Sequence, residues 1–461
     1  VRLGHPDAAG VLPARRPVAA WAAIAAEVAL QLDRRLARDE PAPVVVALSG
    51  GGDSLALLLA AQAWARGAGR AIVAATVDHR LAAQSAAWTT ACRLRCEALG
   101  VDHLSLVWMG PPPATGLAAA ARAARHRLLA EAARSLGARV ILLGHTADDV
   151  AEAALMREAG ATTPAPGSWT PSPVWPEGRG LFLLRPLLGE RRAAVRAALA
   201  SVGERWIDDP ANDDPASARA QARTLIAAGR SAHADPQRPG PCPGPFAVGP
   251  AGELEADAAA LAGAPAEQAR GWLGAALVCA AGRERPPRTR ALDRVRGALG
   301  AGAPVAVTLA GARLWSDGRR VLIGREIADP RSGAVGDLRL RAGEIGVWDG
   351  RYQVRAGGGD LTVTPLAGRL SRLSQAQQRR ARALDPRVRP TLPAFVGADG
   401  SVSCPIFDDR AQDSAICLVR ARLAAACGEV DHETAIVAWR TWEPHPKSVG
   451  MSGKRPVDEP S

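Results

Sequence analysis

Lysine is nearly missing from this chain. Lys447 and Lys454 are the only two in 461 residues, and arginine supplies the rest of the 57 basic side chains. A Walker A phosphate loop needs Gly-Lys-Ser/Thr, so none exists before Lys447. Paired cysteines are missing too. The seven thiols, at 92, 96, 242, 279, 404, 417 and 427, include no Cys-x-x-Cys, and the nearest spacing, Cys92 to Cys96, is one helical turn. That pattern argues against an iron–sulfur or zinc site and against a disulfide framework, and points to reduced thiols in a cytoplasmic protein. No apolar run reaches the 18 or so residues that a membrane span needs. One stretch imitates an export signal, Arg15-Arg16 followed by apolar residues from Pro17 to Leu32. Glu27 interrupts it, and the pattern continues through Leu36 as an amphipathic helix.

What is present is ample material for folded domains. A chain of this length carries about three, and 48% hydrophobic with 22% charged residues is a globular balance. The net charge of +11 asks for a polyanionic partner, most simply a nucleic acid. From Val44 to Val202, strand-like segments (Val44–Leu48, Ala71–Val77, Leu104–Trp108, Arg139–Leu143, Leu181–Leu184) alternate with helical ones (Gln84–Leu99, Gly116–Leu136, Asp148–Ala159). The alternation predicts an α/β fold, a doubly wound parallel sheet with ligands at the carboxyl ends of its strands. A 20-residue interruption at Ala161–Gly180 is rich in Pro, Gly and Thr and holds Trp169 and Trp175. The expected organisation is a first domain over 1–230, a Pro/Gly-rich linker over 231–250, and a mainly helical middle domain over 251–330 with β-like segments at Val305–Leu309 and Arg320–Ile323. A smaller α+β domain over 335–442 and a flexible tail over 443–461 complete it.

Ser49-Gly50-Gly51-Gly52-Asp53-Ser54 lies between the first strand and the helical run Leu55–Ala61. Glycines there leave backbone amides bare at the positive end of a helix dipole, an arrangement that binds phosphate, and Ser49 and Ser54 can add hydroxyl donors. The bland alternative is a glycine turn into a helix. A dinucleotide fingerprint would need a glycine where Leu55 stands, and a nucleophile elbow would need Gly-x-Ser-x-Gly. Asp53 would repel a polyphosphate unless a cation lay between, which implies Mg²⁺ with the nucleotide.

Other constellations follow later strands. Thr76-Val77-Asp78-His79 ends the second, where Asp78 can reach a ribose or simply be a polar strand end. Gly144-His145-Thr146-Ala147-Asp148-Asp149 with Glu152 ends the fourth. Its carboxylates can cap a helix, hold Mg²⁺ or clamp a substrate ammonium. Arg122 and Arg125 share a helix face, either a phosphate site or a solvated basic face. Trp206-Ile207-Asp208-Asp209-Pro210-Ala211-Asn212-Asp213-Asp214, followed by Arg219 and Arg223, puts an aromatic and a dense acidic turn before a basic helix, suited to a nucleotide or merely a solvated loop.

The glycine loop resembles the pyrophosphate loop of the N-type ATP pyrophosphatases. The full order of motifs, with Arg185-Pro186-Leu187-Leu188 and Trp206-x-Asp-Asp-Pro-x-Asn212, is similar to the tRNA(Ile)-lysidine synthetase family from about Val44 to Arg223. The resemblance implies ligation of free L-lysine to C2 of cytidine 34 in the CAU anticodon of an isoleucine tRNA, with ATP and Mg²⁺, through a C2-adenylate. It implies catalytic roles for Asp53, Asp148, Asp149, Glu152, Arg122 and Arg125. ATP contacts would come from Ser49, Gly50, Gly51, Gly52, Asp53, Ser54, Asp78 and His145, and Mg²⁺ would sit on Asp53 and Asp148. Trp206, Arg219 and Arg223 would contact tRNA, and the C-terminal domain, with Arg369, Arg372, Arg379, Arg380 and Arg382, would grip its body. A homodimer is compatible with this. The chain departs from the family at Gly52 and Ala153, where larger apolar residues and Thr are usual. It departs again at Ala159–Gly180, expected to act as a lid with Trp169 or Trp175 stacking on the target base. A tRNA thiolase, a small-molecule amidating ligase and a non-catalytic RNA-binding relative are the alternatives.

Overall fold

The computed structural model describes residues 19–110, 113, 115–160, 165–208, 217–230, 244–327, 335–407 and 412–440. The first part runs α1 (Ala19–Arg35), β1 (Val44–Ala47), α2 (Gly52–Ala68), β2 (Ile72–Asp78), α3 (Ser85–Leu99), β3 (Asp102–Val107) and α4 (Leu117–Ser135). It continues with β4 (Val140–Leu142), α5 (Ala147–Glu158), β5 (Trp169–Pro171), β6 (Phe182–Leu184), α6 (Arg192–Ser201) and α7 (Ala218–Ala227). Each expected strand and helix is present, most with ends shifted by a residue or two, while the run at Leu55–Ala61 extends to Gly52–Ala68. The strands form one sheet in the order β3-β2-β1-β4-β6-β5, parallel throughout except for β5 against β6.

The β-branched run of β1 is buried on both faces, as a central parallel strand requires. Val44 and Val46 point into a core shared with α1, α2 and α6, and Val45 points into the opposite core under α4. In α1, Ile24, Val28 and Leu32 are buried at helical spacing, so the export-like stretch is a packed helix. Among the described residues no helix is long and apolar enough to cross a membrane. Strand order reverses between β1 and β4, which opens the crevice where doubly wound sheets take their ligands.

A second unit contains β7 (Ala247–Val248), β8 (Leu254–Asp257), α8 (Ala258–Gly263), α9 (Ala266–Ala281), α10 (Thr289–Gly300), β9 (Val305–Leu309), β10 (Ala312–Ser316) and β11 (Arg320–Arg325). Helices are its larger share, but they pack on a five-stranded antiparallel sheet, β7-β8-β11-β10-β9. Strands β8 and β10 were not foreseen, and the far end of the expected linker is strand β7. The third unit has β12 (Leu338–Leu340), β13 (Ile345–Trp348), β14 (Tyr352–Arg355), β15 (Leu361–Pro365), α11 (Gln375–Arg382), β16 (Pro393–Gly397), β17 (Val402–Ser403) and β18 (Ser414–Cys417) in two small sheets.

The chain does not end within that unit. Helix α12 (Val419–Ala426) buries Val419 and Leu423 in the core of the second unit, and α13 (Glu433–Arg440) returns to the first, where Val430 and Ile436 join its core. Arg70 and Glu433 form an ion pair there at 3.0 Å, with side chains 1% and 0% exposed. A boundary at 442 therefore groups residues 419–440 with the wrong core, because their apolar faces match surfaces far away in sequence. The expected tail at 443–461 lies outside the described residues.

Candidate active site

The glycine loop joins β1 to α2 at the sheet's carboxyl edge. Gly50 has φ +85°, and a Cβ there would lie 2.7 Å from Ile207 Cδ1, so both conformation and space demand glycine. The Ile207 N–H donates to the Gly50 carbonyl at 2.9 Å and fixes the outer wall. Ser54 Oγ donates to the Gly51 carbonyl at 2.9 Å and accepts from the Ser49 N–H at 3.2 Å, and the two hydroxyls lie 3.0 Å apart. The serines thus hold the loop's shape. Gly51 at the N-cap supplies no side chain, so the first amides of α2 keep their donors for an anion. The loop after β4 presses against this turn. A Cβ on Gly144 would stand 3.0 Å from the Asp53 carbonyl and Ser54 Cα.

That second loop carries the carboxylates. Asp149 accepts from the Thr146 N–H (2.9 Å) and hydroxyl (3.1 Å) and closes a capping box with Thr146 at the start of α5. Asp148 Oδ2 accepts from the Arg192 N–H at 2.8 Å and caps α6. Both aspartates therefore do structural work at helix starts. Glu152, fully buried, does not cap anything. Its carboxylate receives Arg192 (2.9 Å), Arg223 (2.8 Å) and Arg219 (3.1 Å). The Arg192 guanidinium also meets Asp53 at 3.1 Å and Asp149 at 3.3 Å. One arginine side chain is thus the hub of three carboxylates from two helices, α2 and α5.

A cationic pocket adjoins them. Arg122 and Arg125 project from α4, and Arg125 Nε is buried with no hydrogen-bond partner among the described residues. Burial, then the charge of Arg122, brings the Arg125 guanidinium down to about 10, and burial likewise lowers Arg122. Arg185 falls to about 10 for the same two reasons; its Nε donates to His145 Nδ1 at 3.2 Å. Burial depresses His145 and His126, and the surrounding arginines reinforce this, so both imidazoles are neutral at pH 7. Burial also raises Asp53, against the pull of Arg192 and Arg196, and among the described residues its Oδ1 has no hydrogen-bond partner. For Asp149, burial is outweighed by the Thr146 backbone bond, His145 and the arginines, and its carboxyl lies below the usual range.

With this geometry in place, comparison with known proteins is informative. The family model described as a PP-loop domain matches residues 24–228. The chain is similar to the tRNA(Ile)-lysidine synthase of Caulobacter vibrioides, 46% identical over 414 residues, which cover 88% of this chain and 98% of that protein. The chain belongs to the tRNA(Ile)-lysidine synthase family. It is also similar to the family's proteins from Hyphomonas neptunium (40% identity, 55% of this chain and 73% of that protein) and Rhizobium meliloti (35%, 72% and 77%). The chain is accordingly an enzyme of the ligase class, and its PP-loop domain is one that uses ATP.

In this member of the tRNA(Ile)-lysidine synthase family the other expected site residues have partners within the chain. Trp206, expected to meet tRNA, lies over Gly52, where a Cβ would be 3.2 Å from its ring. The Arg196 guanidinium stands 5.7 Å from the ring centroid. This explains the small residue at 52: Trp206 and Arg196 occupy the room that a larger side chain would need. Arg219 and Arg223, also expected to contact tRNA, both pair with Glu152, since a fully buried carboxylate demands partners. Asp78 ends β2, and its Oδ1 accepts the Arg80 N–H at 2.8 Å. Residues 209–216 lie outside the described residues, including Asp209, Asn212, Asp213 and Asp214. The lid reading of the 161–180 insertion fails on its tryptophans. Trp169 stacks on Phe182 at 4.8 Å and donates to the Val430 carbonyl, and Trp175 donates to the Gly350 carbonyl under Arg422. Both are tied to distant parts of the chain because each indole N–H needs a partner once half-buried.

Arg192, Arg196 and the Ile207 backbone were not foreseen as site groups. The available signal was weak, two arginines at i, i+4 opening a helix after Arg185-Pro186-Leu187-Leu188. Among the described residues no group of three or more His, Cys, Asp or Glu is arranged to hold a metal. Mg²⁺ held by one or two carboxylates and substrate phosphates needs no such cage, and the orphaned, buried Asp53 Oδ1 fits that role. Cys92 and Cys96 are buried, and burial pushes both thiols up, Cys96 to about 11, which leaves no poised thiolate for thiolase chemistry.

Proposed function

We propose that the protein joins free L-lysine to C2 of cytidine 34 in the CAU anticodon of an isoleucine tRNA, using ATP and Mg²⁺. In the first step cytidine O2 attacks the α-phosphorus, the α–β phosphoanhydride bond breaks, and diphosphate leaves. In the second the lysine ε-amine attacks C2, the C2–O2 bond breaks, and AMP departs with the electron pair while the new amine loses a proton. The product reads AUA instead of AUG and is charged with isoleucine instead of methionine.

The observation that carries this reading is the contact between two chemically opposite sites. An uncapped helix start with open amides touches, at Gly144 and Asp53, the loop that bears Asp148, Asp149 and Glu152. The amides of Gly50–Ser54 hold the leaving diphosphate, with Asp78 and His145 along the same edge. Arg122 and Arg125 offset charge developing on the α-phosphate, in a site where buried cations act strongly. Asp149 and Glu152 hold the lysine ammonium. Asp53, with Asp148 beside it, would hold Mg²⁺, which when bound supplies positive charge between carboxylate and phosphates. Trp206 forms the wall over the loop, and Arg219 and Arg223 pair with the Glu152 carboxylate. The test is nucleoside mass spectrometry of unmodified CAU-anticodon isoleucine tRNA after incubation with protein, ATP, Mg²⁺ and lysine. Cytidine heavier by one condensed lysine is expected; unchanged cytidine with diphosphate still released would point to a different nucleophile.

A further inference from the structure

Three carboxylates that the proposed reaction needs for cations are already in contact with one. Arg192 meets Asp53, Asp149 and Glu152 at 3.1, 3.3 and 2.9 Å, while its own N–H holds Asp148 at 2.8 Å. Those carboxylates raise the basicity of Arg192 although burial opposes it, so the guanidinium remains charged at any working pH. An incoming ammonium must therefore compete with a tethered cation for the same oxygens.

We propose that Arg192 is a gate that closes the lysine site until a nucleotide is bound. This rests on the lysine-ligase reading above. The arginine is anchored at the first residue of α6, and its side chain spans from Glu152, deep in α5, to Asp53, directly after the phosphate loop. A polyphosphate on that loop offers Arg192 a denser anion than any one carboxylate, in the planar paired geometry a guanidinium prefers. Once it leans toward the phosphates, Asp149 Oδ2 and Glu152 Oε1 each lose one cationic partner, and the ε-ammonium takes its place beside the Thr146 donors and Arg223. Arg219 and Arg223 remain on Glu152 and keep it from being stranded when Arg192 leaves. ATP therefore binds first and lysine second, and linkage makes the effect reciprocal, with lysine tightening ATP by the same factor. The order has a chemical use, since the amine is admitted only where an activating nucleotide is present.

The experiment is calorimetric titration of the full chain with L-lysine, without tRNA, in the presence and absence of α,β-methylene-ATP and Mg²⁺. Wild-type affinity for lysine is expected to rise about tenfold or more with the analogue, on the scale of ordinary coupling between sites. Arg192→Gln is expected to bind lysine without nucleotide about as well as the nucleotide-bound wild type, with no further gain on adding the analogue. Arg192→Lys, which keeps one positive charge, should restore part of the coupling and serves if the Gln variant does not fold. Arg191→Gln removes an exposed charge at the N-cap of the same helix, next to Arg192 in sequence, and should keep the coupling. Equal lysine affinity with and without the analogue in wild type would overturn the gate and leave the ligase reading standing. Lysine heat absent in every state would overturn both. Loss of coupling in Arg191→Gln would reduce the effect to general charge and likewise overturn the gate.

Discussion

Burial raises the proton affinity of Asp53 even though Arg192 lies 3.1 Å away and Arg196 3.9 Å away. A carboxyl whose folded pKa exceeds its unfolded value, about 3.9, adds stability only while protonated, and that contribution is lost as pH rises through the folded value. At neutral pH the ionised Asp53 is therefore a burden on the fold, kept for its chemistry. Asp53→Asn should melt at or above the wild-type temperature at pH 7.5, with the difference narrowing as pH falls toward 4. Its lysidine formation should drop by about 100-fold or more, the scale of losing one charge-stabilising group. Melting curves across pH paired with turnover check this, and a variant clearly less stable at pH 7.5 would refute it. At this scale the sequence was partly legible. Asp53 stood out because a carboxylate beside a phosphate loop demands a cation. Arg192 did not, since nothing near it in sequence names its three partners, 40 to 139 residues earlier.

At the scale of elements, periodicity and glycine placement sufficed for the first sheet. Val44–Ala47 is too short and too β-branched for a helix, and each helix after it ends in a signal such as the left-handed Gly69 or Gly100. The 165–180 segment was misread because its contacts are tertiary. A Pro/Gly-rich stretch looks like a lid until Trp175 is seen under the Arg422 guanidinium, 4.1 Å from the ring centroid, and Arg127 bridging Glu177 and Glu284. The segment is a clasp between the catalytic sheet and the second and third units. A double-mutant cycle on Trp175→Ala and Arg422→Ala should give a coupling energy of roughly 0.5–2 kcal/mol in urea unfolding. A coupling indistinguishable from zero would mean that the two side chains are neighbours without interacting.

At the scale of the whole molecule, the polypeptide closes on itself. Helix α13 brings Glu433 back to Arg70, where Glu433 also accepts the Ala37 N–H at 3.0 Å, and no water can replace a lost partner in so enclosed a place. Removing one member of such a pair typically costs about 3–5 kcal/mol, whereas replacing both with apolar groups of similar volume is close to neutral. Glu433→Gln should thus lower stability on that scale, and Arg70→Met with Glu433→Leu should recover most of it. Equal loss in the single and double variants would locate the effect in packing instead. The net charge of +11 belongs to this scale too. Helix α11 buries Gln377 and Ala381, leaving Arg379, Arg380 and Arg382 on its exposed side, and the Phe407 carbonyl steadies Arg380. If this face meets the tRNA backbone, its arginines release counterions without touching the chemistry, at about one unit of salt slope per phosphate contact. Arg379→Gln with Arg382→Gln should raise the KM for tRNA and flatten its dependence on log salt by about one to two units. The kcat and the KM values for ATP and lysine should hold, because α11 supplies none of the groups around Arg192. An unchanged salt slope would move the tRNA body to another face of the molecule.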